Sequence, residues 1–105
     1  MMTFEEVKDK ISKREYLISQ HAFIESAKDG IEDEDIRHSI LKGKIIEDYP
    51  DDARGRSVLI SGPIRDGRYL HVVVGVEKER PVIITVYMPL PPKWINPETR
   101  GGRNE

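Results

Sequence analysis

The chain has 105 residues, 37% of them hydrophobic and 34% charged, with a net charge of −2. That balance suits one domain with a modest core and gives no overall attraction to nucleic acid, so any such binding needs a local basic patch. The lack of cysteine excludes disulfides, thiol catalysis and cysteine-based zinc motifs, while the lack of any apolar run near ~20 residues and the acidic start (Glu5, Glu6, Asp9) predict a cytoplasmic protein with no membrane span or signal peptide.

Thr3-Phe4-Glu5-Glu6 has the form of a capping box, and Phe4, Val7 and Ile11 then recur at helical spacing, predicting a helix to about Lys13. Tyr16-Leu17-Ile18 reads as a brief extended or strand-like piece. Ser19 caps a second helix, Gln20 to Lys28, which Gly30 stops. The acids from Glu32 to Asp35 open a third helix whose basic residues gather near its end, an order that complements the helix dipole. Helix chemistry is a better account of this acidic run than a metal site, since four consecutive acids cannot all face one ion. Lys44–Tyr49 and Arg56–Gly62 read as strands, with turn chemistry from Pro63 through Asp66-Gly67 leading to a third.

The stretch from Tyr69 to Trp94 holds the two most apolar runs, Leu70–Val76 and Val82–Met88, separated by the charged loop Glu77–Pro81. They read as a β-hairpin. Symmetric pairing sets Val76 opposite Val82, Val74 opposite Ile84, Val72 opposite Val86 and Leu70 opposite Met88, all on one core face. Phe23, Ile36 and Ile40 are expected to cover Val72, Val74, Ile84 and Val86. On the other face Val73 meets Thr85 and His71 meets Tyr87. Helices first and hairpin-linked strands after predict an α+β domain over residues 1–95, its N-terminal helices on one face of a mainly antiparallel four-stranded sheet. Pro89, Pro91 and Pro92 hold Lys93 and Trp94 extended, and residues 96–105 are expected as a mobile tail.

His71 and Tyr87 are the leading chemical candidates, a group that titrates near neutrality beside a phenol that can donate to phosphate. The alternative is that a second layer covers this face and both residues simply pack. His21, in the first turn of the second helix, could assist at an anion site or bond a neighbouring loop. His38, near the end of the acidic helix, reads as a surface histidine. Arg54, Arg56, Arg65 and Arg68, with Lys93 and Trp94, could line a backbone-binding groove, or be solvated charge with a tryptophan that anchors the tail. No histidine spacing fits a metal site, and no phosphate-binding loop is present.

Several segments together resemble a family: Ser19-Gln20-His21-Ala22, Asp29-Gly30-Ile31, Gly43 to Pro50, Leu70-His71-Val72-Val73-Val74, and Ile84-Thr85-Val86-Tyr87 followed by Pro89 and Trp94. From about Tyr16 to Trp94 the chain resembles the DUF4258 family of small bacterial and archaeal proteins, itself similar to the RelE/ParE-like and BrnT-like toxins. The resemblance implies a RelE-like α+β fold and a ribonuclease-type toxin, often encoded beside an antitoxin of the YgiT zinc-finger type. Glu25 and Asp29 stand where the family usually has arginine, so two cations are replaced by two anions.

Two functions follow as expectations. The first is a metal-independent endoribonuclease toxin acting on RNA without a cofactor, with His71 as base or acid, Tyr87 on the scissile phosphate, His21 assisting, and Arg56, Lys93 and Trp94 holding the RNA. The second is a non-catalytic protein-binding module on the same fold, a degenerate toxin, which Glu25, Asp29 and the acidic balance favour.

Overall fold

A computed structural model describes residues 1–101. The three predicted helices form, and local chemistry fixes their ends. α1 spans Phe4–Ser12. Its capping box is made: the Glu6 N–H donates to Thr3 Oγ1 at 3.1 Å and the Thr3 N–H to Glu6 Oε1 at 2.8 Å. α2 spans Gln20–Lys28, with Ser19 Oγ accepting the Ala22 N–H at 3.0 Å. Gly30 follows at φ 68°, a left-handed conformation that ends the helix without a side-chain clash. α3 spans Asp33–Lys42. Its acidic start serves the helix and its neighbours: Glu32 and Asp35 hold Arg65, while Asp33 and Glu34 face Arg14.

The main sheet holds β1 Leu17–Ile18, β2 Lys44–Tyr49, β3 Ser57–Pro63, β4 Tyr69–Gly75 and β5 Val82–Tyr87, in the order β1-β5-β4-β3-β2. The four predicted strands pair antiparallel, each with the next in the chain. The expected count of four is corrected to five. Leu17–Ile18 pairs in parallel with Val82 and Ile83, which makes the sheet mixed. So short a piece carries too little pattern to be told from a loop.

One end of the β4–β5 hairpin keeps the expected register, with His71 opposite Tyr87, Val72 opposite Val86 and Val73 opposite Thr85. Beyond Val73 the register differs: Val74 pairs with Ile83 and Gly75 with Val82. A β-bulge takes up Ile84 as an extra residue, and the part of β5 before it changes face. Ile83 therefore joins the core beneath the helices. Ile84 lies on the other side, where a Cβ added to Gly75 would stand 3.3 Å from its Cδ1.

The helices pack Val7, Ile11, Ala22, Ile36 and Ile40 against Val58, Ile60, Leu70, Val72, Val74, Ile83 and Val86. Phe23, expected in this core, is instead 62% exposed. α2 turns Ala22 and Ser26 inward, small side chains that let the helix lie close to β5. Val72 is fully buried between Ile60 and Val86 on the flanking strands. Val72→Ala is expected to cost about 1–3 kcal/mol in denaturant unfolding, from lost burial and the cavity left behind. A change within about 0.5 kcal/mol would show that this face is not packed as described.

The opposite face is covered as well. Trp94–Asn96 (β6) and Thr99–Arg100 (β7) form a separate two-stranded hairpin whose side chains dock on that face. Residues 96–101, expected as tail, thus belong to the fold; residues 102–105 of that tail lie outside the described residues. A segment with prolines and a single large apolar anchor has no period for sequence reasoning to detect. With both faces covered, β3 is buried from Ser57 to Gly62. Among the described residues no helix is long and apolar enough to cross a membrane.

Candidate functional site

Pairing across β3, β4 and β5 puts Ser61, His71 and Tyr87 side by side on the face away from the helices. His71 is fully buried there. Its Nε2 lies 2.5 Å from the Pro97 carbonyl oxygen. A carbonyl only accepts, so Nε2 carries the proton and donates it. Nδ1 is then the acceptor, and takes the Tyr87 hydroxyl at 3.1 Å. Ser61 Oγ donates to the same Pro97 oxygen at 3.1 Å. The imidazole meets Trp94 and Tyr87 edge to face, with centroids 4.4 and 5.2 Å apart.

Glu47, Tyr49 and Arg100 complete the cluster. Arg100 lies bidentate on Glu47 at 2.7 and 2.8 Å, with its guanidinium 4.7 Å above the Trp94 ring. Tyr49 donates its hydroxyl to Glu47. Lys44 adds an ion pair with Glu98 at 3.1 Å. Burial raises the Tyr87 phenol, and the indole N–H of Trp94 is near enough to oppose that rise. It does not reach hydrogen-bond geometry, and among the described residues it is a buried donor without a partner.

Burial also pushes the His71 imidazole below its ordinary value, with Pro97 and Glu47 opposing and Arg100 reinforcing the shift. Arg100 holds the Glu47 carboxyl below the usual range. Burial and the bond to Glu47 push the Tyr49 phenol up to about 12. Both the His71 and the Glu47 shift make the docked hairpin acid-sensitive. A group with a lowered folded pKa gives stability that is full above its unfolded value and lost as pH falls through the folded one. For His71 the loss begins below about pH 6.5, and for Glu47 below about 4.3. The denaturant midpoint followed by Trp94 fluorescence should therefore begin to fall as pH drops below about 6.5. A midpoint flat down to the carboxylate range would show that burial does not hold His71 neutral.

Of the residues expected at the site, His71, Tyr87 and Trp94 come together, and Lys93 is exposed at the hairpin's base. His21 does not join them: it is exposed in the first turn of α2, in the layer across the sheet. Arg56 alternates with Val58 and Ile60 toward the helix side, pairs with Asp48 at 2.5 Å, and lies roughly 17 Å along the strand from Ser61. Trp94 anchors the C-terminal segment. Among the described arginines Arg80 alone is outside an ion pair, so the arginines considered for a nucleic-acid groove are already engaged. His38 is half-buried and donates through Nδ1 to the Pro63 carbonyl at 2.8 Å, tying α3 to the end of β3.

Sequence reasoning missed Ser61, Glu47, Tyr49, Pro97 and Arg100. Ser61 had a partial signal: even counting about the Asp66-Gly67 pair sets it opposite Val72, and only a register centred on Asp66, as observed, sets it opposite His71. The two tail residues had none. Among the described residues no three His, Asp or Glu side chains are grouped so as to hold a metal ion.

Fold and site together define a small α+β domain: a mixed sheet with helices on one face and a closed His–Tyr–Trp cluster under a hairpin on the other. The chain belongs to the family described as Domain of unknown function (DUF4258), whose family model matches residues 18–88. α1 and the covering hairpin fall outside that span. No curated protein and no solved structure matches the chain.

Proposed function

We propose that this chain works by binding a protein, on a RelE-like fold, in the way a toxin-type protein binds its antitoxin. The observation that carries this reading is the outward face of α2. At 100° per residue, Phe23, Ala27 and Ile24 fall within about 100° of one another on the helix surface. All are exposed, Phe23 by 62% and Ile24 by 46%, next to the exposed Ile18 of the edge strand. An apolar helix stripe left open beside an edge strand fits a partner's apolar segment. Glu25 and Asp29 lie along α2 and its end, so the matching surface is apolar with a basic border. An antitoxin of the YgiT zinc-finger type, encoded beside the chain, is the partner this reading names.

The test is co-expression with that neighbouring protein. Phe23→Asp is expected to weaken the complex at least about thirtyfold while thermal unfolding stays unchanged, as for a central interface residue. Unchanged affinity in a folded Phe23→Asp protein would sink the reading.

A second reading, the metal-independent endoribonuclease toxin, is favoured by the hydrogen bond from Tyr87 to His71. In it the neutral imidazole takes the proton of an RNA 2′-hydroxyl. The 2′-oxygen bonds to phosphorus, the bond to the 5′-oxygen breaks, and a proton returns to that leaving oxygen. Tyr87 and Lys93 would contact the phosphate, while His21 and Arg56 would meet only RNA that wraps round the sheet edge. The reading comes second because both imidazole nitrogens are spent on the protein itself. Inducible expression of the wild type and of His71→Ala, scoring growth and RNA integrity together, tests it. Intact RNA with the folded wild type would remove it.

A further inference from the structure

The Trp94–Gly101 hairpin is attached to the domain in an unusual way. Among the described residues its two strands pair only with each other and form a sheet of their own. It is held to the main sheet by three anchors at regular spacing, two side chains and one main-chain group: buried Trp94, the Pro97 carbonyl that accepts from both His71 and Ser61, and Arg100 on Glu47. The hairpin can therefore leave without breaking one hydrogen bond of the five-stranded ladder. What it leaves behind is a groove already shaped for an indole, a carbonyl oxygen and a guanidinium. Glu47 makes that groove a poor site for a free anion and a good one for a basic peptide.

We infer that this groove also takes the same segment from a second copy of the chain, giving a dimer by reciprocal exchange of the C-terminal hairpin. The contacts in the exchanged form are those of the closed monomer, so the two forms differ only in the hinge and in the entropy of association. The hinge is Met88–Lys93, which holds Pro89, Pro91 and Pro92. Proline restricts its conformations, so an arm projecting outward loses little further freedom. This surface is separate from the α2 stripe, and the inference does not rest on the binding reading.

A charge-reversed pair tests it in the full-length chain. Glu47→Arg opposes its own Arg100, and Arg100→Glu opposes its own Glu47, so each variant alone should show a loosened Trp94 and a monomer mass. Mixed in equal amounts, each arm finds a matching groove only on the other variant. The expected product is a heterodimer of twice the 12.1 kDa monomer mass, with Trp94 emission restored. The double variant Glu47→Arg/Arg100→Glu reports whether the reversed pair seats at all. A mixture that stays monomeric while the double variant seats its arm overturns the inference. So does a monomeric mixture that instead binds a free peptide of residues 93–101, which would assign the groove to a segment of another protein. If the double variant does not seat, wild-type protein refolded at high concentration decides: a dimer abolished by Arg100→Glu upholds the exchange, and monomer alone overturns it.

Discussion

Gly62→Ala is expected to leave the protein unfolded or at the edge of folding. A Cβ at Gly62 would stand 1.8 Å from the Ser39 carbonyl oxygen, 2.7 Å from its carbon and 2.8 Å from the Cα of Gly43. All three are backbone atoms, so no rotamer change relieves the clash. Moving the end of α3 off β3 would open the core around Ile36, Ile40 and Ile60, which that contact seals. Ordinary overpacking costs about 1–3 kcal/mol, and this case lies above that range. Total stabilities of about 5–15 kcal/mol leave little after such a loss. Thermal unfolding by circular dichroism measures it. Gly67→Ala is the control: nothing lies within 4 Å of its Cβ position, and only the φ of 94° opposes the change. It should cost about 1–2 kcal/mol. Equal effects from the two substitutions would show that α3 does not approach β3 as closely as described.

His71→Ala is expected to cost about 2–5 kcal/mol and to release the C-terminal hairpin. The imidazole fills the space between Tyr87 and Trp94 and satisfies two partners at once. Without it the Pro97 carbonyl keeps only its bond from Ser61, the Tyr87 hydroxyl loses its bond to Nδ1, and Trp94 loses its support. Hydrogen exchange should rise at residues 94–101 before it rises in β3 or β4. Uniform protection across the chain would contradict the anchoring role. In the ribonuclease reading the same substitution lowers cleavage by about 10²–10⁴-fold. Loss of activity alone would not separate catalysis from anchoring, since the variant changes both. Tyr87→Phe separates them further, because it keeps the ring and removes only the hydroxyl that bonds Nδ1.

What the sequence made legible was what repeats along a single element. Apolar spacing located α1, α2 and α3, and capping residues such as Thr3 and Ser19 set their starts. The pairing of His71 with Tyr87 followed from even counting across one hairpin. Phe23 was misplaced because residue type alone cannot say which side of a helix faces the sheet; Ala22 and Ser26 took the inner positions by being small. Leu17–Ile18 reads as extended or strand-like, but its place in the sheet was not legible because parallel pairing joins distant segments with no turn to announce it. The candidate site was half visible. His71 and Tyr87 lie on regular strands, whereas their neighbours come from a main-chain carbonyl at Pro97 and from a segment without periodicity. Arg56 stands apart from His71 for a local reason: alternation from Val58 places it with the helix-facing set.

The bulge at Ile84 matters for comparing this chain with its relatives. β1 joins the sheet through Val82 and Ile83, the two residues just beyond the bulge. A relative one residue shorter in this region invites an alignment gap in the loop from Glu77 to Pro81, where length changes are usually absorbed. Placed there, the gap keeps every identity from Val82 onward. Placed at Ile84, it removes the bulge, and the residue before Thr85 then faces Val74 and the core, where the first placement counts it as the extra residue on the other side. Nearly equal scores would thus stand for two different facings of the same residues of the relative. Homologues aligned across this hairpin should be judged by which residue faces Val74 before any substitution in β5 is interpreted.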